Sequence, residues 1–250
     1  MRRSVAIVRD GELARTEGDA SVFDAASLVK PVVAHVALAV LSELDEPVQH
    51  DITVRHVLTH TTGLPNWRAE GEPLRPLRPP GEQWGYSGEG FVLLQHHLEQ
   101  RTGTPITDLV HDLVLAPLGM AHSRLDDPEP GLHGLRPLVT TASDYARFLA
   151  HVLAIRDARW EPPWRIDDGL AWGAGWGLEA GPRVYVWQWG LNDDASHFMI
   201  GCPATGGGVV VLTDDPEGRA YYRSVVEREL PGDHPSLRVE HNPEWLRLLG

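Results

Sequence analysis

The chain has 250 residues and a mass of 27.6 kDa, which is enough for one large hydrophobic core or two small lobes. Its formal net charge of -13 and pI near 5.4 argue against nucleic acid or an anionic membrane as a partner, because both require a basic protein surface. A single cysteine, Cys202, excludes an internal disulfide framework and fits a reducing compartment.

The first residues predict a β-hairpin, in which Ser4 to Val8 and Leu13 to Thr16 flank an Asp10-Gly11 turn. The apolar run that ends before Arg9 is too short for the hydrophobic region of a signal peptide. No run approaches the ~18 apolar residues that a membrane span requires. These features predict a cytoplasmic protein.

Capping signals and a 3.6-residue apolar period predict the helices. They span residues 27–44, 89–101, 104–117, 141–153 and 220–230. The first is apolar almost all round, the pattern of a helix buried inside the protein, and Pro31 is tolerated near the end of its first turn. Thr104 is expected to cap the third helix, with Pro105 at its first position.

Strand-like runs return after Trp176, over residues 183–189, 196–202 and 208–213. The glycines at 206–208 are interpreted as a hairpin turn. Two proline-rich stretches, GEPLRPLRPPGE and RWEPPWRIDDG, predict loops without regular structure.

Sheet at both ends of the chain with helices between them predicts an α+β fold. In this fold an antiparallel sheet built from both chain termini is flanked by helices, and an all-helical region is inserted. We assign residues 1–45 and 175–250 to the sheet lobe and residues 46–174 to the helical lobe. The tail at 231–250 ends in EWLRLLG, an apolar patch expected to dock, and its role is left open.

Ser27 and Lys30 lie three residues apart at the start of the first helix, on the side that the helix buries. A buried lysine has its pKa lowered by desolvation and by the positive field of a helix N-terminus, so it can accept a proton. The neighbouring serine is then an activatable nucleophile. Taken alone, this short SxxK pattern is better explained by a capping serine and a lysine that extends to solvent. The context of the pattern has to decide.

That context is an ordered set of motifs across most of the chain. They are ASLVKP at 26–31, VRHVLTHTTGLP at 54–65, PPGEQWGYSGEGFVLL at 79–94, APLGM at 116–120, LVTTASDYARFL at 138–149 and WQWGLN at 187–192. In this order they resemble the serine β-lactamase and penicillin-binding protein family, above all its class C and esterase-like branch.

The resemblance implies an acyl-enzyme mechanism. In that family the serine of SxxK is acylated, the lysine helps to move its proton, and the tyrosine of a YxN motif serves as a second base or orienting group. These roles fall to Ser27, Lys30 and Tyr86. By the same resemblance the oxyanion donors are the N–H groups of Ser27 and Leu191, and the small Gly190 lets a substrate approach the strand edge.

Two positions depart from the family pattern. Gly88 stands where the β-lactamases keep an asparagine, so the side-chain amide that would hold a substrate amide is missing. In the strand motif Gln188-Trp189-Gly190, Gln188 replaces a lysine or histidine and supplies no cation for a substrate carboxylate. These losses weaken the case for penicillins and peptidoglycan stems but leave acyl transfer intact. We expect Gly88, Gln188, Trp189 and Gly190 to line the substrate site.

Other motifs are weaker. Residues 85–89 nearly match the GxSxG motif of a nucleophile elbow, but the fifth residue is Glu89 and no strand precedes the motif. Ser87 is therefore not expected to be a nucleophile. His56 and His60 have the spacing of a zinc helix without the glutamate that would activate water. His60 is expected to form local hydrogen bonds within HTTGLP. We predict no metal and no cofactor.

Nine tryptophans are many for this length, and six of them lie near the motifs. These six are Trp67, Trp84, Trp172, Trp176, Trp187 and Trp189. Two interpretations of these tryptophans are equally supported: an aromatic pocket for an apolar or planar substrate, and ordinary packing of loops.

Together, the sequence predicts a serine hydrolase that acts on a small ester or amide through an acyl-enzyme on Ser27. One alternative is a transacylase, in which an amine or alcohol replaces water as the acceptor. The other is a non-catalytic binding protein that kept the fold. Survival of the Ser27, Lys30 and Tyr86 set argues against this last hypothesis without disproving it.

Overall fold

The computed structural model describes residues 1–128, 134–155 and 164–241. The strands are β1 (Arg3–Arg9), β2 (Glu12–Gly18), β3 (Phe23–Asp24), β4 (Pro47–Gln49), β5 (Ile52–Thr53), β6 (Arg124–Leu125), β7 (Leu138–Thr140), β8 (Trp164–Arg165), β9 (Leu170–Trp172), β10 (Gly177–Glu179), β11 (Tyr185–Asn192), β12 (Ala195–Cys202) and β13 (Gly207–Thr213). The α-helices are α1 (Val29–Val40), α2 (Val54–Leu58), α3 (Gly88–Thr102), α4 (Ile106–Val110), α5 (Ala142–Ala154) and α6 (Arg219–Glu229). Short 3-10 segments cover Ala26–Leu28 and Pro235–His241, and His111–Leu115 is a π-helical turn.

The main sheet has eight strands in the order β2-β1-β13-β12-β11-β10-β9-β8, and every neighbouring pair is antiparallel. The amino-terminal hairpin pairs with the last strand, so that Val5 lies opposite Val211. This confirms the predicted α+β class, with a sheet from both ends of the chain and helices around it.

Strands β12 and β13 are buried at every position, because both faces of the sheet are covered. One hydrophobic core lies on the face packed by α1 and α5, and a second lies on the face packed by α6. Cys202, at the end of β12, is buried with a free thiol.

The inserted region is mainly helical but not entirely so. It contains the β4-β5 pair, and its strands β6 and β7 form a three-stranded sheet with β3 from the amino-terminal part of the chain. The main sheet also takes in Trp164 and Arg165, which pair with Trp172 and Ala171. The prediction that this proline-rich stretch lacks regular structure is therefore wrong at its described end, where a two-residue edge strand forms. The division into two lobes stays a prediction.

The helix boundaries differ from the predictions where the chain turns. Helix α1 ends at Val40 rather than residue 44, because Leu41 is extended with ψ 129° and the chain turns into the β4-β5 pair. The N-cap of α4 is Pro105, so Thr104 as its cap is wrong. The Glu99 carboxylate instead accepts the N–H of Ile106 at 3.0 Å.

The residues predicted to begin α5 and to end α3 are confirmed. Helix α5 begins after Thr141, whose hydroxyl accepts the Asp144 N–H. Helix α3 ends at Gly103, which has a left-handed φ of 69°. Among the described residues, no helix has both the length and the apolar character needed to cross a membrane.

Candidate active site

Ser27 lies in the 3-10 turn that leads into α1, and its backbone is fixed before the helix begins. Ala26 has a left-handed φ of 46°, which is unfavourable for a residue with a β-carbon. The Asp24 carboxylate supports this conformation by accepting the Ala26 N–H at 2.8 Å. On the other side, the buried Tyr145 hydroxyl donates to the carbonyl oxygen of Leu28 at 2.8 Å. The turn therefore holds a partly exposed Ser27 in one position.

Lys30 reaches back one turn, and its Nζ lies 2.9 Å from Ser27 Oγ. Its side chain is buried at 3% exposure, and it is the only lysine in the chain. Burial lowers the pKa of Lys30 to about 7, because the charged ammonium loses its hydration. The amine is thus partly neutral near neutral pH and within reach of the Ser27 proton.

Aromatic rings enclose the ammonium group. Lys30 Nζ lies 4.9 Å from the centre of the Tyr86 ring and 5.6 Å from that of Trp67. Both distances are within the range of a cation–π contact. No ion pair in the described part of the chain involves Lys30, so no carboxylate raises its pKa.

Tyr86 lies just before α3 and is 4% exposed. Gln188 Nε2 donates a hydrogen bond to Tyr86 Oη at 3.0 Å. Burial raises the pKa of the Tyr86 phenol, and hydrogen bonding with Ser27 and Gln188 only partly offsets this. The phenol therefore stays protonated at neutral pH, which suits a hydrogen-bond donor to the reacting atoms better than a free phenolate base.

His60 lies beneath Tyr86, where the sequence had indicated only a local role. Its ring centre is 4.2 Å from that of Tyr86, and its Nδ1 accepts the N–H of Ser87 at 3.1 Å. Burial, with the nearby Lys30 charge, holds the pKa of His60 well below its usual range. His60 is therefore a neutral ring that supports Tyr86, and its partner is outside the HTTGLP motif.

Strand β11 forms the opposite wall of the site. The Gln188 side chain is fully buried, and its amide nitrogen lies 3.4 Å from the Ser27 carbonyl oxygen. Its Oε1 has no hydrogen-bond partner among the described residues. Trp189 is also buried and packs against Tyr86 with ring centres 5.2 Å apart. Gln188 thus connects Ser27 to Tyr86 as a neutral group, and Trp189 packs against Tyr86.

Gly190 permits a close contact with the chain itself. A β-carbon at this position would lie 2.5 Å from the Ala25 carbonyl oxygen and 3.1 Å from both Leu28 Cγ and His197 Cδ2. The structure thus gives Gly190 a packing role, and the expectation that this glycine lets a substrate approach the strand edge stays a prediction. Leu191, next along the strand, is partly exposed, and the role of its N–H stays a prediction.

His197, on β12 opposite Gly190, also fixes the segment before the nucleophile. Its Nδ1 accepts the Thr213 N–H at 3.0 Å, so its Nε2 carries the proton and donates to the Asp24 carbonyl oxygen at 2.6 Å. Burial lowers the pKa of His197, in keeping with this neutral form. No motif in the sequence predicted this contact.

Gly88 lies against the indole of Trp67. A β-carbon on Gly88 would come within 2.4 Å of Trp67 Cη2 and Cζ2. The neighbouring Ser87 is fully buried, where it caps α3 by accepting the Gly90 N–H at 3.0 Å, as expected for a residue that is not a nucleophile.

The tryptophans are mainly core residues. Trp84, Trp172, Trp187 and Trp189 pack in one cluster, with ring centres 5.0 to 5.6 Å apart for successive pairs. Trp176 is buried against Phe148. Of the six considered, only Trp67 is exposed, at 48%. An aromatic pocket built from all six is therefore not formed.

A separate groove of about 830 Å³ lies away from these residues. Asp167, Leu170, Pro182, Pro235 and Arg238 are among its lining residues. Because none of the groups that contact Ser27 lines this groove, it does not belong to the candidate site.

The family model for beta-lactamases matches residues 3–229. The chain belongs to the beta-lactamase family. This confirms the resemblance found in the sequence and makes the chain a member of a family of serine hydrolases. Esterase EstB of Burkholderia gladioli is 29% identical over 168 residues, covering 48% of this chain and 43% of the esterase. A penicillin-binding protein of Bacillus subtilis (strain 168) is 29% identical over 139 residues, covering 42% of this chain and 31% of that protein. The matches thus span less than half of these relatives.

Solved beta-lactamase-family structures share the fold. A beta-lactamase from Mycobacterium bovis superposes with a TM-score of 0.72 at 24% identity, covering 91% of this chain and 95% of the other. A class C beta-lactamase superposes with a TM-score of 0.75 at 17% identity, covering 93% of this chain and 92% of the other. A D-stereospecific amidohydrolase from Streptomyces sp. superposes with a TM-score of 0.74 at 19% identity, covering 93% of this chain and 94% of the other. At these identities the likeness establishes the architecture and leaves the substrate open.

Proposed function

We propose that this beta-lactamase-family protein hydrolyses a small, uncharged ester or amide through an acyl-enzyme on Ser27. The observation that carries the proposal is the 2.9 Å contact between Lys30 Nζ and Ser27 Oγ, made by a buried lysine whose pKa is about 7. A neutral amine at this distance accepts the hydroxyl proton as the oxygen attacks a carbonyl carbon.

The proposed acylation step proceeds through a tetrahedral intermediate. Ser27 Oγ forms a bond to the carbonyl carbon while its proton passes to Lys30 Nζ. The intermediate then collapses, the bond to the leaving group breaks, and the leaving group takes a proton from Lys30, directly or through the Tyr86 hydroxyl. The N–H groups of Ser27 and Leu191 are the proposed oxyanion donors.

Deacylation repeats these events with water. Lys30, neutral again, takes a proton from the attacking water, and Ser27 leaves with a proton returned by Lys30. An alcohol or amine acceptor would enter at the same point, so transacylation shares every residue named and differs only in the nucleophile that reaches the acyl-enzyme.

The preference for an uncharged substrate follows from Gln188. This residue is neutral and buried at the strand position that faces Ser27, so no side-chain cation there compensates a substrate carboxylate. EstB, which is named an esterase, is one of the relatives that support this class of substrate. The cytoplasmic location stays a prediction from the sequence.

Intact-mass spectrometry tests the proposal. Wild type, Ser27→Ala and the control Ser224→Ala, an exposed serine on α6, are each treated with p-nitrophenyl butyrate, a fluorophosphonate and a penicillin. We expect an adduct from the ester and the phosphonate on wild type and Ser224→Ala but none on Ser27→Ala. Adducts that persist on Ser27→Ala would overturn Ser27 as the residue that forms the acyl-enzyme. The absence of adducts on every chain would overturn the acyl-enzyme and favour the binding-protein alternative. Added methanol or glycinamide in the ester reaction then separates a transacylase from a hydrolase by the product formed.

A further inference from the structure

The ring of Trp67 occupies the space beside Gly88, at the entrance to the Ser27–Lys30 pair. The two closest ring atoms would lie 2.4 Å from a Gly88 β-carbon, and Cε2 would lie 2.7 Å from it. Non-bonded carbon atoms do not approach each other this closely, so any side chain at position 88 requires the indole to move. Gly88 and Trp67 therefore act as a matched pair, in which the side-chain volume missing at 88 is supplied by the ring.

The backbone that carries Trp67 is attached to the start of α3 on its amino-terminal side. Ser87 Oγ donates to the Pro65 carbonyl oxygen at 2.8 Å. The Gly88 N–H donates to the Asn66 carbonyl oxygen at 3.0 Å and lies 3.1 Å from its side-chain Oδ1. Asn66 thus fixes the residue that precedes Trp67.

The following residue is attached to the same helix. The Arg68 N–H donates to Glu89 Oε1 at 3.1 Å, and the Arg68 guanidinium lies 3.5 Å from the same oxygen. Glu89 is 5% exposed, so this contact is shielded from water. The backbone of Trp67 is thus held on both sides, while 48% of the residue's surface is exposed.

The indole faces the reacting groups. Its centre is 5.6 Å from Lys30 Nζ, and Lys30 contacts Ser27. A substrate carbonyl that reaches Ser27 Oγ therefore places its acyl portion next to an aromatic surface. Beside the indole, position 88 supplies no side-chain amide because it is glycine, and position 188 supplies no cation because it is glutamine.

We propose that Trp67 determines the acyl specificity of the site, selecting esters whose acyl group is apolar and preferably planar, and disfavouring those that carry an acylamino group. An apolar or aromatic acyl group gains contact area and ring stacking against the indole. An acylamino group placed against the indole loses hydration, and the ring offers its N–H no acceptor. This inference rests on the proposed function and extends it to the substrate class.

Relative rates with three p-nitrophenyl esters test the inference: the phenylacetate, the acetate and the ester of N-acetylglycine. The variants are Trp67→Ala, Trp67→Phe and the control Leu77→Ala, which removes another exposed hydrophobic side chain (65%) from the same stretch of chain. Fluorophosphonate labelling counts the active sites in each preparation.

We expect wild type and Leu77→Ala to prefer the phenylacetate over the N-acetylglycine ester at least tenfold in kcat/KM. Trp67→Ala should lower the phenylacetate-to-acetate ratio about tenfold, because the phenyl group loses the ring against which it stacks. Trp67→Phe should retain most of the ratio, because phenylalanine keeps an aromatic surface at this position. An unchanged ratio in fully labelled Trp67→Ala overturns the inference. Absence of labelling in wild type would instead overturn the proposed function.

A stability cycle tests the pairing independently of activity. Gly88→Ala should lower the melting temperature by several degrees in wild type, because the new methyl group displaces the indole. In the Trp67→Ala background the same substitution should have little effect. Equal losses in both backgrounds would contradict the matched pair.

Discussion

A β-carbon on Gly190 would lie 2.5 Å from the carbonyl oxygen of Ala25, so β11 and the segment that carries Ser27 are in direct backbone contact. This contact brings Gln188 of β11 to both Ser27 and Tyr86. The position of Ser27 therefore depends on the absence of a side chain at position 190 of a distant strand.

Gly190→Ala should displace the Ser27 segment. We expect a loss of roughly 1–3 kcal/mol in stability from overpacking, and a fall in ester kcat/KM of about 100-fold from misplacement of the nucleophile. Urea unfolding and ester kinetics measure the two effects. Gly181→Ala is the control, since its β-carbon would meet its nearest neighbour, the Arg183 carbonyl oxygen, at an ordinary 3.7 Å. Equal activity in the two variants would show that the contact does not position Ser27.

The acylation rate should rise with pH and reach half its maximum near pH 7, as Lys30 loses its proton. Gln188→Glu places a carboxylate against Tyr86 beside this amine, which favours the ammonium form and should shift the midpoint upward. Stopped-flow burst rates with a p-nitrophenyl ester between pH 5 and 9 measure both profiles. A midpoint that does not move, in a variant that still acylates, would exclude Lys30 as the titrating base.

Lys30→Met should stabilise the protein while lowering acylation by about 10²–10⁴-fold. Below pH 7 the lysine is charged in both the folded and unfolded states, so the folded state bears the whole desolvation cost. Between pH 7 and 10.5 the folded amine is neutral while the unfolded one remains protonated, and the cost declines as pH rises. The gain should be roughly 2–4 kcal/mol at pH 6 and smaller at pH 9. Ser27→Ala, which keeps the amine, should retain the pH dependence of wild type, and a pH-independent gain in Lys30→Met would contradict this account.

His60→Ala should reduce kcat more than KM, because it removes the ring that supports Tyr86 and leaves the Ser87 N–H without its acceptor. The cavity should also cost on the order of 2–4 kcal/mol in stability. Thermal melting and steady-state kinetics give both quantities. His96→Ala is the matched control, because His96 is exposed on α3. If the two variants behaved alike, the support of Tyr86 by His60 would be excluded.

The carboxyl-terminal part of the described chain is joined to the sheet by a buried pair. His234 Nδ1 lies 2.8 Å from Glu179 Oε2, and its Nε2 lies 2.8 Å from the Leu230 carbonyl oxygen, so both ring nitrogens face acceptors. Burial lowers the pKa of His234, but the hydrogen bond and charge of Glu179 outweigh this and raise it overall. The stabilisation is complete below the unfolded pKa of about 6.5 and is lost as pH rises through the higher folded value.

Glu179→Gln should therefore lower the melting temperature more at pH 6 than at pH 9. The comparison variant Glu217→Gln, at an exposed site, should have no such dependence. Differential scanning calorimetry at the two pH values gives the result, and a pH-independent loss in Glu179→Gln would mean that His234 is neutral throughout.

The long, strongly patterned elements could be predicted from sequence. Helix α3 between Ser87 and Gly103 and strands β12 and β13 follow from local capping and apolar period, and their bounds match within about two residues. The short strands β8, β9 and β10 could not be predicted, because two or three residues carry too little pattern and are held by the edge of a sheet formed elsewhere.

The site was predictable as a list of residues but not as an arrangement. Ser27 and Lys30 are neighbours on one helix, so their contact follows from local geometry. The contacts of Trp67 with Gly88 and of His60 with Tyr86 depend on how separate loops meet, which no local pattern specifies. One signal in the sequence was informative: every basic residue other than Lys30 is arginine, so a lysine placed at the surface for its charge would be an exception.

The use of arginine everywhere else leaves the protein with two amines, the chain terminus and Lys30. Reductive methylation with ¹³C-formaldehyde would therefore yield two methyl signals, one from the chain terminus and one from inside the candidate site. The second signal would follow the protonation of the proposed base through a titration, without mutation and without a substrate. Because Lys30 is the single lysine, NMR can observe directly the nitrogen atom that the proposed mechanism uses as its base.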